Sequence, residues 1–217
     1  MKQKKGFTLT ELFIALMIFS FMATSMVTIY STITRHMFQN YRQDVWKIST
    51  ALAMRTIQQN LLAATRIDLP AVGGWSNDLR FAVNIDQLTG CYPIKPGDPV
   101  TWHRFYLTGS QLFYCSGNIA GGTGCASTAP SLWAPNYACA SAPVLLLDHV
   151  TTWTGMVTMP LFSRQSAQGV NEKGAVAVNL RIHWDPSILT VPGNLSASQH
   201  VIDYSLKTVV KINRPAL

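Results

Sequence analysis

Glu11 is the one charged side chain between Phe7 and Ile33. Behind it runs a largely apolar stretch, Leu12 to Ile33, and ahead of it stand Gly6-Phe7 and a leader with Lys2, Lys4 and Lys5. A carboxylate near the end of a membrane helix costs on the order of 2–3 kcal/mol on insertion scales, and such a group marks function with a partner nearby. Hydrolysis between Gly6 and Phe7 would create that partner, an α-amino group one helical turn from Glu11. The same carboxylate is equally suited to the amine of a neighbouring subunit. If the chain is cut there, the chemistry this stretch offers is charge pairing in a non-aqueous setting.

The rest of the chain offers little for catalysis. Its histidines are His36, His103, His149, His183 and His200, with no His-Glu-x-x-His spacing. The close His/Asp pairs, Asp148-His149 and His183-Trp184-Asp185, read as ordinary hydrogen-bonding neighbours rather than metal ligands. No serine sits in a Gly-x-Ser-x-Gly elbow. Gly121, Gly122 and Gly124 are not followed by the Lys-Ser/Thr of a phosphate loop. Asp98 and Asn171-Glu172 are oxygen donors, but nothing resembles an EF-hand loop. We expect no catalytic residues, no metal site, no cofactor and no enzymatic activity.

Cys91, Cys115, Cys125 and Cys139 all lie beyond the apolar stretch. An even number in an oxidising compartment reads as disulfides. Of the pairings open to them, we expect Cys91–Cys115, flanking a hairpin, and Cys125–Cys139, closing a loop worth about 3 kcal/mol in the chain-entropy model.

These groups must be positioned by a long helix and a separate head. About 20 apolar residues span a bilayer, and lysines flanking a span stay cytoplasmic. The N-terminus is thus expected inside and the remainder outside. Thr34 to Thr65 contains neither Pro nor Gly. Apolar residues recur at Tyr41, Val45, Ile48 and Leu52, and again at Met54, Ile57 and Leu61, at the spacings of three and four of an amphipathic helix. One helix from Phe7 to about Ala64 would be roughly 85 Å long, with its far half packed on the head. Pro70 and Gly73-Gly74 close it off.

From there the period becomes two. Leu79, Phe81, Val83 and Ile85 alternate with Arg80, Ala82 and Asn84, a strand pattern. Thr101–Leu107 and Gln111–Cys115 flank Thr108-Gly109-Ser110, a hairpin signal. Val144–Val150, Thr151–Met159, Ala175–Trp184 and Val201–Ile212 are further extended candidates. Residues 116–143, rich in Gly, Ala, Ser and Pro, read as a long exposed loop. Most of the six tryptophans are expected in the core, with Trp133, in that loop, the exception as a contact residue. The formal charge of +7 falls to +4 without the three leader lysines (14 basic against 10 acidic), which supports nucleic-acid binding only weakly.

The N-terminal pattern Lys-Lys-Gly-Phe-Thr-Leu-Thr-Glu, Lys4 to Glu11, followed by the apolar helix, resembles the class III signal of type IV pilins and type II secretion pseudopilins. The head is similar in places to PilW-type minor pilins and pseudopilin-J-type subunits: Tyr106-Leu107 with Gln111–Cys115, Leu146–Val150 with Thr152-Trp153, Ala177–Ile182, and Val209–Arg214. The resemblance implies an α+β fold, with a long N-terminal helix packed on an antiparallel β-sheet head. It implies cleavage between Gly6 and Phe7 by a prepilin peptidase, N-methylation of Phe7, and pairing of Glu11 with a neighbour's amine during assembly. It divides the chain into leader 1–6, membrane or filament-core half 7–33, amphipathic half 34–65 and periplasmic head 66–217. Implied partners are other major and minor pilins or pseudopilins, the processing peptidase and methyltransferase, the inner-membrane assembly platform and membrane lipid. Major pilins usually carry a proline near the depth of Thr28, and its absence here fits a minor or initiating subunit. The other readings are a tip adhesin or DNA-uptake module, with loop 116–143 as its contact, and a membrane-anchored periplasmic enzyme.

Overall fold

The computed structural model describes residues 8–119, 124, 135–139, 142–154, 157–166, 172–185 and 201–213. Gly6, Phe7, Cys125, Trp133 and His200 lie outside them. The chain divides into two compact units, Met1–Val45 and Trp46–Leu217. One helix, α1 (Leu9–Leu62), runs through the boundary, as the lack of any Pro or Gly in that stretch allows.

In the first unit every side chain from Thr8 to Tyr30 is exposed. A largely apolar surface left bare by the chain's own fold suits a lipid or protein environment. The polar residues in it cost little, because their hydroxyls are satisfied by the helix itself. Ser20, Thr24, Ser25, Thr28, Thr32 and Thr34 each donate to the carbonyl four residues back, at 2.8–2.9 Å. A hydroxyl so bonded leaves no unpaired group in a hydrocarbon layer.

The second unit is the expected α+β arrangement. A five-stranded antiparallel sheet has the order β1 (Arg66–Leu69), β3 (Asp78–Val83), β4 (Thr101–Thr108), β5 (Gln111–Asn118), β6 (Val144–Leu147). A four-stranded antiparallel sheet has the order β11 (Ile202–Asn213), β10 (Glu172–Trp184), β9 (Phe162–Gln165), β2 (Trp75–Ser76), and a small hairpin joins β7 (Trp153–Thr154) to β8 (Val157–Thr158). The chain passes between the two sheets at His149. There the Thr151 N–H donates to the Arg181 carbonyl (2.9 Å) and the His183 N–H to the His149 carbonyl (3.0 Å). His149 makes this turn with a left-handed backbone (φ 57°), while its ring meets the edge of Trp46 at 5.2 Å.

One core joins helix and sheets. Ala53, Met54, Ile57 and Leu61 of α1 pack with Leu79, Phe81, Phe105 and Leu112 of the first sheet and Val176, Val178, Leu180 and Ile182 of the second. Gln58 of α1 donates to Thr208 on β11 at 2.7 Å. The buried stripe is only part of the periodic pattern read from sequence. Met54, Ile57 and Leu61 are inside, but Ile48 and Leu52 are 60% and 58% exposed. At 100° per residue, Leu52 and Ile48 lie roughly 140° and 180° around the helix from Ile57, so one stripe meets the head and the other faces away. Strands β1, β2 and β9 were not anticipated. They are two to four residues long, too short for alternation to register.

The reading of 116–143 as an exposed loop is corrected in part: Asn136, Ala138, Ala142 and Pro143 are exposed and outside any strand, but other described residues are not. Strand β5 continues to Asn118, Gly124 forms a β-bridge with Tyr92, and Pro135 and Tyr137 are buried, Tyr137 to 5%. The disulfide expectation is corrected too. Cys115 bonds to Cys139, which rules out both expected pairs. On β5, Cys115 lies opposite Arg104 of β4, so no cysteine faces it from the neighbouring strand. Instead the returning segment 135–139 crosses the outer face of the sheet and sets Cys139 over it. Cys91 is also disulfide-bonded.

That segment acts as a strap over a second, smaller core of Ala82, Ile85, Trp102, Cys115 and Tyr137. The Tyr137 ring meets the edge of Trp102 at 5.7 Å, its hydroxyl donates to Asp68, and its carbonyl accepts from Arg104 (3.4 Å). Burial, with Asp68 beside it, pushes the Tyr137 phenol far above its usual range, which keeps it a donor. Beneath the strap Asp78 receives both Arg80 (2.6 Å) and Arg104 (2.9 Å). Replacing Cys115 and Cys139 together by serine frees a loop with a sequence separation of 24. In the chain-entropy model this costs about 3.5 kcal/mol, read as a lower thermal midpoint and faster proteolysis within 119–143. Trp102 also explains Gly117. A β-carbon there would meet the indole at 2.6–2.8 Å, so Gly117→Ala is expected to destabilise the head by about 1–3 kcal/mol, measured by thermal unfolding.

Candidate processing and assembly site

The N-terminus of α1 is built by four consecutive residues. Thr8 precedes the first helical residue, Leu9, and Glu11 stands at the third helical position. The Glu11 Oε2 accepts from the Thr8 backbone N–H at 3.0 Å and from the Thr8 hydroxyl at 2.9 Å. The Thr8 Oγ1 accepts from the Glu11 N–H at 3.4 Å. This reciprocal arrangement is a capping box, in which each side chain satisfies a backbone donor the helix leaves open. A carboxylate in the first turn also faces the positive end of the helix dipole. The Thr-x-x-Glu spacing before an apolar run is a legible signal of such a cap.

Glu11 is therefore not an uncompensated charge in the free chain. Among the described residues its side-chain hydrogen bonds are local and made with Thr8 alone, and its side chain is exposed. A cationic group arriving at the helix start would meet a carboxylate already ordered and oriented outward along the first turn. The cap is a local contact at the water-exposed helix start, whereas losing one partner of a desolvated charge pair leaves an uncompensated buried charge.

Against known proteins, residues 1–27 match the family model of the prokaryotic N-terminal methylation motif. The chain carries a class III prepilin signal. No curated protein and no solved structure matches it. The prepilin signal covers Gly6, Phe7, Glu11 and the first turns of α1, and it supports a type IV pilin-like or pseudopilin precursor. Such a signal implies processing by a prepilin peptidase and assembly with other pilins, and with the exposed apolar half of α1 it fits membrane anchoring.

Elsewhere the two candidate His/Asp pairs differ. His183 does not turn to Asp185 but lies across from Asp203 of β11, with Nδ1–Oδ2 at 3.8 Å. Asp148 accepts the N–H of its neighbour His149 at 2.7 Å. Asp98 forms an exposed ion pair with Lys95 at 3.3 Å. Among the described residues no three His, Cys, Asp or Glu side chains gather as metal ligands do.

Proposed function

We propose that this chain is a minor pilin or pseudopilin, a structural subunit that helps initiate or cap a type IV pilus or type II secretion pseudopilus. The observation that carries the reading is the methylation motif at residues 1–27, which runs into the apolar start of a 54-residue helix. Its work is assembly rather than catalysis. Before assembly the chain is an inner-membrane protein with one span, its N-terminus cytoplasmic and its disulfide-bearing head periplasmic. The apolar half of α1 then exchanges lipid for the helices of other subunits, and Glu11 exchanges its Thr8 contacts for a neighbour's N-terminal amine.

The absence of proline between Leu9 and Leu62 supports a minor role. A helix unbroken through the apolar stretch suits a subunit present in few copies at one end. Deleting the gene in a cell that assembles the filament tests this. Filament number should fall sharply, and the sheared filament fraction of the parent should contain this chain at far lower abundance than the bulk subunit. Unchanged filament number on deletion, or bulk abundance in the parent, would overturn the reading.

A further inference from the structure

The outer face of the β10–β11 pair carries a cavity of about 310 Å³ that the filament reading does not use. Its floor is set by register. Asn179 lies opposite Lys207, and Arg181 opposite Ser205, so two neighbouring rungs of the ladder place two cations on a diagonal, roughly 7–8 Å apart at the backbone. The side of the cavity is closed by Thr151, tied to β10 through its N–H to the Arg181 carbonyl (2.9 Å). The Asn179 amide donates to the Pro160 carbonyl at 3.4 Å, which ties the base of the β7–β8 hairpin to the same strand.

The charges are unequal. Asp203 accepts from Arg181 through Nε (2.8 Å) and Nη2, a two-point pair that holds the guanidinium in place. Among the described lining residues this leaves Lys207 as the surplus, one positive charge in all (Arg181 and Lys207 against Asp203). A monoanion balances it, and a dianion such as phosphate would over-compensate. The hydroxyls of Thr151 and Ser205 add neutral polar partners, and the volume exceeds that of a carboxylate alone, within the range of small-ligand sites.

We propose that this cavity binds a carboxylate attached to a small polar body, with Lys207 as its counter-charge and Arg181, Ser205 and Thr151 as positioning groups. Two sources offer that chemistry: a free sugar acid or amino acid, or an aspartate or glutamate on another protein subunit. The site stands apart from α1; its free-ligand arm is independent of the filament reading, and its subunit arm rests on that reading. The full chain in detergent micelles, at low ionic strength, should bind sodium galacturonate or glutamate saturably by calorimetry, while uncharged galactose should not bind. Lys207→Gln should weaken that binding at least tenfold. Lys211→Gln, four residues along the same strand and outside the cavity, should leave it unchanged. In intact cells a zero-length carbodiimide should couple Lys207 to an Asp or Glu of another subunit if the carboxylate is a protein's. Saturable binding lost in Lys207→Gln identifies a free ligand, and the cross-link identifies a subunit. Absence of both, or equal binding by wild type and Lys207→Gln, overturns the site.

Discussion

With alanine in place of Gly6, the chain is expected to remain in its precursor form, carrying the leader and lacking a methylated Phe7. Glycine before the scissile bond leaves the backbone free of a β-carbon where a protease must approach it closely. The consequence extends beyond processing. An uncut chain keeps Lys2, Lys4 and Lys5, and burying a lysine at a helix centre costs about 2.5–3.5 kcal/mol on insertion scales. The same chain has no α-amine at Phe7 to offer a neighbour. Incorporation into filaments should therefore be undetectable, with the precursor accumulating in membranes. Intact-mass measurement decides the matter: a mature chain beginning at methyl-Phe7 in the Gly6→Ala variant would sink the cleavage assignment.

The second large effect is expected at Glu11, and the capping box makes it possible to ask which property of the side chain matters. Glu11→Ala removes both the charge and the bonds to Thr8. Glu11→Gln removes the charge but retains a side chain able to cap at the third helical position. Loss of the cap removes only local, solvent-exposed contacts. Leaving a partner amine unpaired in a dry filament core costs about 3–5 kcal/mol. Both variants should be cleaved normally, and both should fall at least tenfold in the sheared filament fraction. Wild-type incorporation of Glu11→Gln beside a defective Glu11→Ala would assign Glu11 to capping alone. Normal incorporation of both would remove it from assembly altogether.

The separation between what was legible and what was not follows the range of the interactions involved. The long helix could be read because its determinants are local: no Pro or Gly from Phe7 to Ala64, and an apolar run of membrane length. The β4–β5 hairpin could be read for the same reason, since Gly109 alone supplies the left-handed turn (φ 61°) between Thr108 and Gln111. The capping box was equally local, four residues with a recognisable spacing. It was overshadowed because the charge of Glu11 and its surroundings already supplied a reason for its presence.

The second stripe on α1 shows where periodicity stops being informative. Ile48, Leu52, Met54, Ile57 and Leu61 all obey spacings of three or four, but spacing cannot say which of two apolar stripes the head will cover. That choice was made by Phe81, Phe105, Val178 and Ile182, residues from distant strands. The strap around Tyr137, within 116–143, departs from the loop reading for a related reason. Its composition reads as solvated, yet Tyr137 finds Asp68, sixty-nine residues away, and is buried against Trp102 and Cys115.

By itself, then, the sequence determined the N-terminal signal, the unbroken helix, the α+β class and the principal late strands, because each rests on contacts within a turn or on a period along the chain. Only the tertiary structure decided which stripe of α1 is buried, that Cys115 bonds Cys139, that Tyr137 straps the outer face of the first sheet, and that Asn179, Arg181, Ser205 and Lys207 share one cavity. Those outcomes depend on pairings across many residues, whose register is set by the whole core and leaves no local trace.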